Sequence, residues 1–197
     1  MDAALVSLIG FAVVMYITPG PNNVMVAASS AHHGLRATVP HMCGITAGFA
    51  LMLVLVSAGL GAVLLSWPPL LPIMRWVGAA WIALIAWQIA TAPPPGTAGA
   101  KPLLGFLGAA LFQWVNPKAW MIGLGVASAF LHADAPLAGQ VARIGIVFVV
   151  VGLPCILPWA LLGAGVGRLL HAPACLRAFN TAMALLLIAS LIPILSP

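Results

Sequence analysis

Residues Thr18-Pro19-Gly20-Pro21-Asn22-Asn23 interrupt an apolar run that enters from Leu5 to Ile17 and leaves through Val24 to Ala28. Two prolines two residues apart remove backbone donors and clash with the preceding turn, so no continuous helix passes. In hydrocarbon the freed carbonyls and amides must find partners. Non-helical backbone survives at that depth only where it is buried or lines a cavity. Asn22 and Asn23 bring polar groups to such a place. A second interruption, Val115-Asn116-Pro117-Lys118, puts Pro117 96 residues after Pro21.

Composition makes hydrocarbon the expected solvent. Of 197 residues, 63% are hydrophobic and 5% charged, a balance that a soluble domain of this size does not sustain. The acids are Asp2 and Asp134; the bases are Arg36, Arg75, Lys101, Lys118, Arg143, Arg168 and Arg177. The expected class is an all-α integral membrane protein. The excess of bases follows from the scarcity of acids. No basic stripe with interleaved aromatics points to nucleic acid. Met1-Asp2-Ala3-Ala4 lacks the positive n-region of a cleaved signal peptide. Cys43, Cys155 and Cys175 are far apart, in no C-x-x-C pair and flanked by apolar residues, so they read as small buried hydrophobes.

A helix needs roughly 20 residues to cross a hydrocarbon layer of about 30 Å. Apolar runs of that length fall at about 4–30, 38–65, 71–91, 103–131, 139–167 and 174–195. Breaker-rich separators lie at Ala31 to Arg36, Ser66 to Pro69, Pro93 to Lys101, His132 to Pro136 and Arg168 to Pro173. The stretch from Ala92 to Lys101 marks the midpoint of a single transmembrane domain, with one repeat at about 1–95 and a second at about 101–197. The halves echo each other: Pro21 matches Pro117, and Arg75 and Arg177 each stand near the start of a third run. Three spans per half put the halves in opposite orientations. The expectation is six transmembrane helices in two inverted three-helix repeats, with helices 1 and 4 broken at Pro. Arg36, Lys101, Arg168 and Arg177 put the odd-numbered connections in the cytoplasm and the termini outside, on the periplasmic side in a bacterium.

Paired interrupted spans point to a transporter's substrate site. Candidate residues at the first break are Pro19, Gly20, Pro21, Asn22 and Asn23, and at the second Gln113, Asn116, Pro117 and Lys118. A carboxylate suits the helix N-terminus that starts near Asn22, and an ammonium suits the carbonyls before Pro19. The competing reading is a structural kink packed by a neighbour. Lys118 inside a span is costly unless paired or hydrated, which suggests a hold on a substrate carboxylate. Its alternative is an anchor that snorkels to an interface. Gly44 and Gly48 form a small-x-x-x-small face, expected to pack against the broken first span, with direct substrate contact as the alternative. Gly61 and Gly163 to Gly167 read similarly, and the tryptophans read as interface belt or core.

His41 is the histidine placed within a helix. It is either a proton carrier or a solvated helix-end residue. No acid lies inside any run, so a carboxylate proton relay is missing. No enzyme is expected: there is no intramembrane acid pair, no G-x-S-x-G elbow and no metal constellation. His32-His33 lack partners for a metal, and no cofactor is expected.

The chain resembles the LysE/RhtB family of bacterial amino-acid exporters over nearly its whole length. The resemblance is carried by Thr18 to Asn23, Ser29 to Arg36, Gly44 to Phe49, Trp76 to Ala80, Trp87 to Pro93 and Gln113 to Lys118. It looks most like the cysteine and O-acetylserine exporters, where asparagine follows P-G-P. Many relatives carry aspartate at Asn22, so the departure points towards neutral amino acids. The resemblance implies six spans in the bacterial inner membrane, efflux from the cytoplasm and coupling to protons. Electron carriers of the DsbD/CcdA type belong to the same superfamily but need a cysteine in each of two broken helices. The broken runs 1 and 4 contain none. The sequence reading is thus a secondary carrier for small neutral amino acids, surrounded by lipid. Small-residue faces allow a homo-oligomer. A non-transporting scaffold subunit or a channel for a small polar solute are the alternatives.

Overall fold

A computed structural model describes residues 2–67, 69–92, 104–169 and 173–192. Expectations that fall on Pro68, on Pro93 to Lys101 (the midpoint loop with its cytoplasmic lysine), on residues 170–172 and on the end of the sixth run lie outside these residues.

Every element among the described residues is helical. In order these are α1 (Ala3–Ile17), α2 (Pro21–Leu55), a π-helical turn (Val56–Leu60), α3 (Gly61–Ser66), α4 (Leu70–Ala90), α5 (Phe106–Val115), α6 (Pro117–Phe130), α7 (Leu137–Leu169) and α8 (Pro173–Ala189). Three stretches are long and apolar enough to cross a membrane: Pro21–Ser66, Leu70–Ala90 and Leu137–Arg168. The first and fourth expected runs are divided into shorter helices at their prolines, and the sixth is short. By length and apolar composition these three stretches can cross a membrane, and the first of them, 46 residues long, is broken at Gly34.

The distribution of residues is that of a protein whose outer solvent is apolar. Trp76, Trp87, Leu107, Met121 and Val150 are exposed, whereas Asn23, Thr38, Gln113, Asn116 and Asn180 are buried. Among hydrocarbon tails a large apolar side chain needs no shelter, but an amide does.

Three expectations about local structure need correction. Ala31 to Arg36 is not a six-residue loop: two helical segments meet at a kink there, and only Gly34 leaves the helical region, at φ 79 and ψ 167. That left-handed conformation is cheap for glycine alone, so one residue does the work of a loop. Thr38 braces it, donating to the Gly34 carbonyl at 3.0 Å. With so short a turn, His41 lies about two helical turns beyond Gly34. It is fully buried with neither ring nitrogen partnered among the described residues, which rules out a solvated helix end. The cysteines also diverge: Cys155 is buried, Cys43 half-buried and Cys175 exposed.

Helices approach closest at glycines. α2 packs along α7, where a Cβ on Gly163 would meet the backbone of Ala27 and one on Gly167 that of Ala31. Gly44 and Gly48 do form a close-approach face. Their partners, however, are Phe106 and Ala110 of α5, the first half of the broken fourth run, and not the broken first run. These faces are consumed inside the chain and leave nothing there for an oligomer contact.

Candidate functional site

At the first break α1 ends at Thr18, whose N–H and hydroxyl both return to the Val14 carbonyl, at 2.9 and 2.6 Å. Gly20 is fully extended (φ −173, ψ 179), and Pro21 opens α2 at a position where a missing N–H costs nothing. The carbonyls of Tyr16, Ile17 and Thr18 have no helical donor, and each is reached by a side chain. Asn23 Nδ2 donates to the carbonyls of Tyr16 (2.8 Å) and Thr18 (3.0 Å). Trp159 Nε1 of α7 donates to that of Ile17 at 3.3 Å. Lys118 Nζ donates to the Thr18 carbonyl at 3.0 Å. This is the internal satisfaction that unwound backbone requires in an apolar medium.

The second break is built in the same way. α5 stops at Val115, Asn116 is extended, and its side-chain oxygen accepts from the Lys118 N–H at 3.1 Å, capping α6 behind Pro117. Trp120 Nε1 donates to the Trp114 carbonyl at 2.9 Å.

The two breaks meet. Asn22 Nδ2 donates to Gln113 Oε1 at 2.9 Å, and Gln113 Nε2 donates to Asn22 Oδ1 at 3.2 Å, a reciprocal amide pair across 91 residues of sequence. Gln113 Nε2 also reaches the Ala109 carbonyl at 2.9 Å. Between the breaks lies a cavity with a polar side of Asn22, Asn23, Gln113, Asn116 and Lys118 and an apolar side that includes Tyr16, Phe49 and Ile122. Its volume of about 30 Å³ admits about two waters and no amino acid. Lys118 is the cation in its wall, and no acid lines it; the chain's two acids are Asp2 and Asp134.

Of the nine residues singled out from the sequence, Gly20, Pro21, Asn22, Asn23, Gln113, Asn116 and Lys118 line this one cavity. Pro19 is exposed, and Pro117 faces away, its ring beneath Gly78 of α4. Gly44, Gly48 and His41 are not in the cavity wall. Lys118 differs from the expectation of an unpaired charge, because the Thr18 carbonyl accepts from it. The carbonyls before Pro19 are likewise not free for an ammonium, since Asn23 reaches those of Tyr16, Ile17 and Thr18.

Sequence reasoning missed Tyr16, Phe49 and Trp159. Tyr16 carried a usable signal as the single tyrosine, two residues before the break. Its hydroxyl donates to the Phe148 carbonyl at 3.1 Å, and its ring meets Phe49 edge-on at 5.6 Å. The amide pair should register in stability. Asn22→Ala and Gln113→Ala, measured singly and together by thermal unfolding in detergent, are expected to couple by about 1 kcal/mol. Strict additivity would mean that the two amides contribute independently.

A sequence profile of the LysE type translocator family matches residues 13–190. The chain belongs to that family. Family membership makes it a membrane translocator and not an enzyme. Among curated relatives, a cysteine/O-acetylserine efflux protein of Escherichia coli O139:H28 (strain E24377A / ETEC) is 29% identical over 179 residues, 90% of each chain. The protein of the same description from Escherichia coli (strain K12) is 28% identical over 179 residues, again 90% of each. That of Salmonella choleraesuis (strain SC-B67) is 28% identical over 153 residues, 78% of each chain. No solved structure matches the translocator significantly.

Proposed function

We propose that this translocator exports small neutral amino acids or their derivatives, of the cysteine and O-acetylserine kind, from the cytoplasm across the bacterial inner membrane. The observation that carries the reading is the bond from Lys118 Nζ to the Thr18 carbonyl, in a cavity that offers one cation and several amides. A zwitterion can replace that bond end for end. Its carboxylate takes the ammonium of Lys118, and its own ammonium takes the Thr18 carbonyl. The exchange conserves charge, so the site favours a substrate with no net charge. The Asn22–Gln113 pair opens in the same step, and its amides become available to a polar side chain. Pro19, Gly20, Pro21, Asn23, Asn116 and Pro117 keep the two helix ends apart and capped while this happens.

Access then alternates between the two sides as the halves rock about the site, in an arrangement of six crossings and two inverted repeats. Support for it comes from the matched breaks at Pro21 and Pro117 and from the one-residue turn at Gly34. Protons drive the cycle. With no acid in the apolar runs, the carrier we assign is His41, an imidazole buried without a partner. Both termini lie on the periplasmic side.

The test is counterflow. Proteoliposomes preloaded with unlabelled O-acetylserine should accumulate labelled O-acetylserine and cysteine, saturably, with lysine and arginine failing to compete. Flux that rises linearly and shows no counterflow identifies a channel. No flux of any amino acid in either direction overturns the carrier reading.

A further inference from the structure

α6 has two faces. One carries Lys118, Ala119 and Ile122 in the central cavity. The other, with Pro117, Trp120 and Met121, closes a groove of about 290 Å³ against the start of α4, whose side supplies Leu71, Met74 and Arg75. Arg75 is the charged group of this groove, exposed, with no hydrogen bond or ion pair among the described residues. The surface around it is apolar: Ile73, Trp76 and Val77 on α4 and Met121 on α6 are all exposed. A guanidinium with five donors on a hydrocarbon-facing surface is costly and needs an acceptor from somewhere. The protein supplies none among its described residues, which leaves the lipid headgroups and the water among them.

Position decides which part of the bilayer. Arg75 stands five residues into α4, about 8 Å along the axis from its start at Leu70. Exposed Trp67 and Trp76 flank that start, as aromatic residues do at the headgroup level. A long side chain at that depth reaches up to the phosphates. A phosphate bound there in the bidentate manner of guanidinium hangs its acyl chain directly over the apolar groove. A free phosphate would leave that groove empty. A zwitterionic headgroup would bring its own cation to the site.

We propose that the groove between α4 and α6 seats one anionic phospholipid, its phosphate on Arg75 and one acyl chain between Met74 and Met121. The site lies on the back of the helix that carries Lys118, and it depends only on membrane embedding, not on the substrate assignment.

Native mass spectrometry of the detergent-purified full chain tests it directly, with phosphatidylglycerol, phosphatidylcholine and glycerol phosphate as probes. Phosphatidylglycerol should bind the parent with one tight site, and Arg75→Gln should weaken that site about fivefold, the usual worth of one cation at a membrane surface. Arg75→Lys should retain part of the affinity. Arg143→Gln, whose guanidinium pairs with Asp2 at 3.0 Å, should leave it unchanged. Met121→Trp, filling the groove, should weaken phosphatidylglycerol without touching the charge. Arg75→Gln should melt at the parent temperature in lipid-free detergent, because it loses no protein partner. Equal binding of phosphatidylglycerol to the parent and Arg75→Gln overturns the proposal. So does a parent that binds phosphatidylcholine or glycerol phosphate as tightly.

Discussion

Lys118→Met should lower transport by roughly 100-fold while leaving the fold in place, since truncating one partner of a buried charged pair costs about 3 kcal/mol. The substrate carboxylate would lose its counter-ion in a cavity that contains no other cation. The fold survives because the Thr18 carbonyl keeps Asn23 Nδ2 at 3.0 Å as a donor, and methionine fills nearly the volume of the lysine stem. Lys118→Arg is expected to transport slowly. A Cβ built on Gly20 falls only 2.9 Å from Lys118 Nζ, so the wall behind the ammonium has no room for a planar, larger head. Counterflow rates beside thermal midpoints separate the two effects. Normal transport by Lys118→Met would move the carboxylate to the backbone amides after Pro21 and reduce Lys118 to a cap on α1.

Gly48→Val is expected to fail in assembly. An added Cβ would sit 2.8 Å from the Ala110 Cβ and 2.7 Å from its carbonyl oxygen, and closer still to its Cα. Backbone atoms of a packed helix cannot step aside as a side-chain tip can. Even Gly48→Ala should cost about 2 kcal/mol or more, at the upper end of overpacking. Gly163→Ala, which meets the backbone of Ala27, should behave alike. Gly165→Ala is the control: nothing lies within 4 Å of its Cβ position, so the change should be neutral or stabilising by up to about 1 kcal/mol through helix propensity. Fluorescence-detected gel filtration after a heating series reads the order. A Gly48→Val protein that elutes and melts like the parent would mean that α2 and α5 stand further apart than their backbones indicate. Because the clash is with the Ala110 backbone, Ala110→Gly should not rescue it.

Much of the candidate site was legible because proline acts locally. Pro19 with Pro21, and Asn116 with Pro117, announce where α1 and α5 must stop, and the polar residues beside them announce that polar groups gather at the stops. Yet Pro154 and Pro158 lie inside α7 without ending it. Four residues apart, they leave a helical turn between them. The pair around Gly20 leaves one residue, and that residue is extended. Proline count alone does not separate these cases; spacing and the intervening glycine do.

Which residue meets which was not legible, and the reason is the solvent. In water an amphipathic stripe tells which face of a helix is buried. Here the outer face meets hydrocarbon and is as apolar as the inner one, so periodicity is silent about partners. Gly44 and Gly48 advertised a close approach but not that α5 would make it. His41 gave no hint of full burial, because the one-residue turn at Gly34 replaces a loop that composition suggested.

The sequence by itself determined an all-helical chain made for an apolar medium, its membership of a translocator family, and the two places where the helices break. Those properties depend on composition and on dihedral restrictions acting within a few residues. The tertiary structure decided how the breaks are used. It brought Asn22 to Gln113 across 91 residues and Lys118 to the Thr18 carbonyl across 100. It turned Asn23 inward as a cap and left Arg75 facing outward. Each of these depends on which donors and acceptors remain once the helices have packed, and only the assembled bundle settles that.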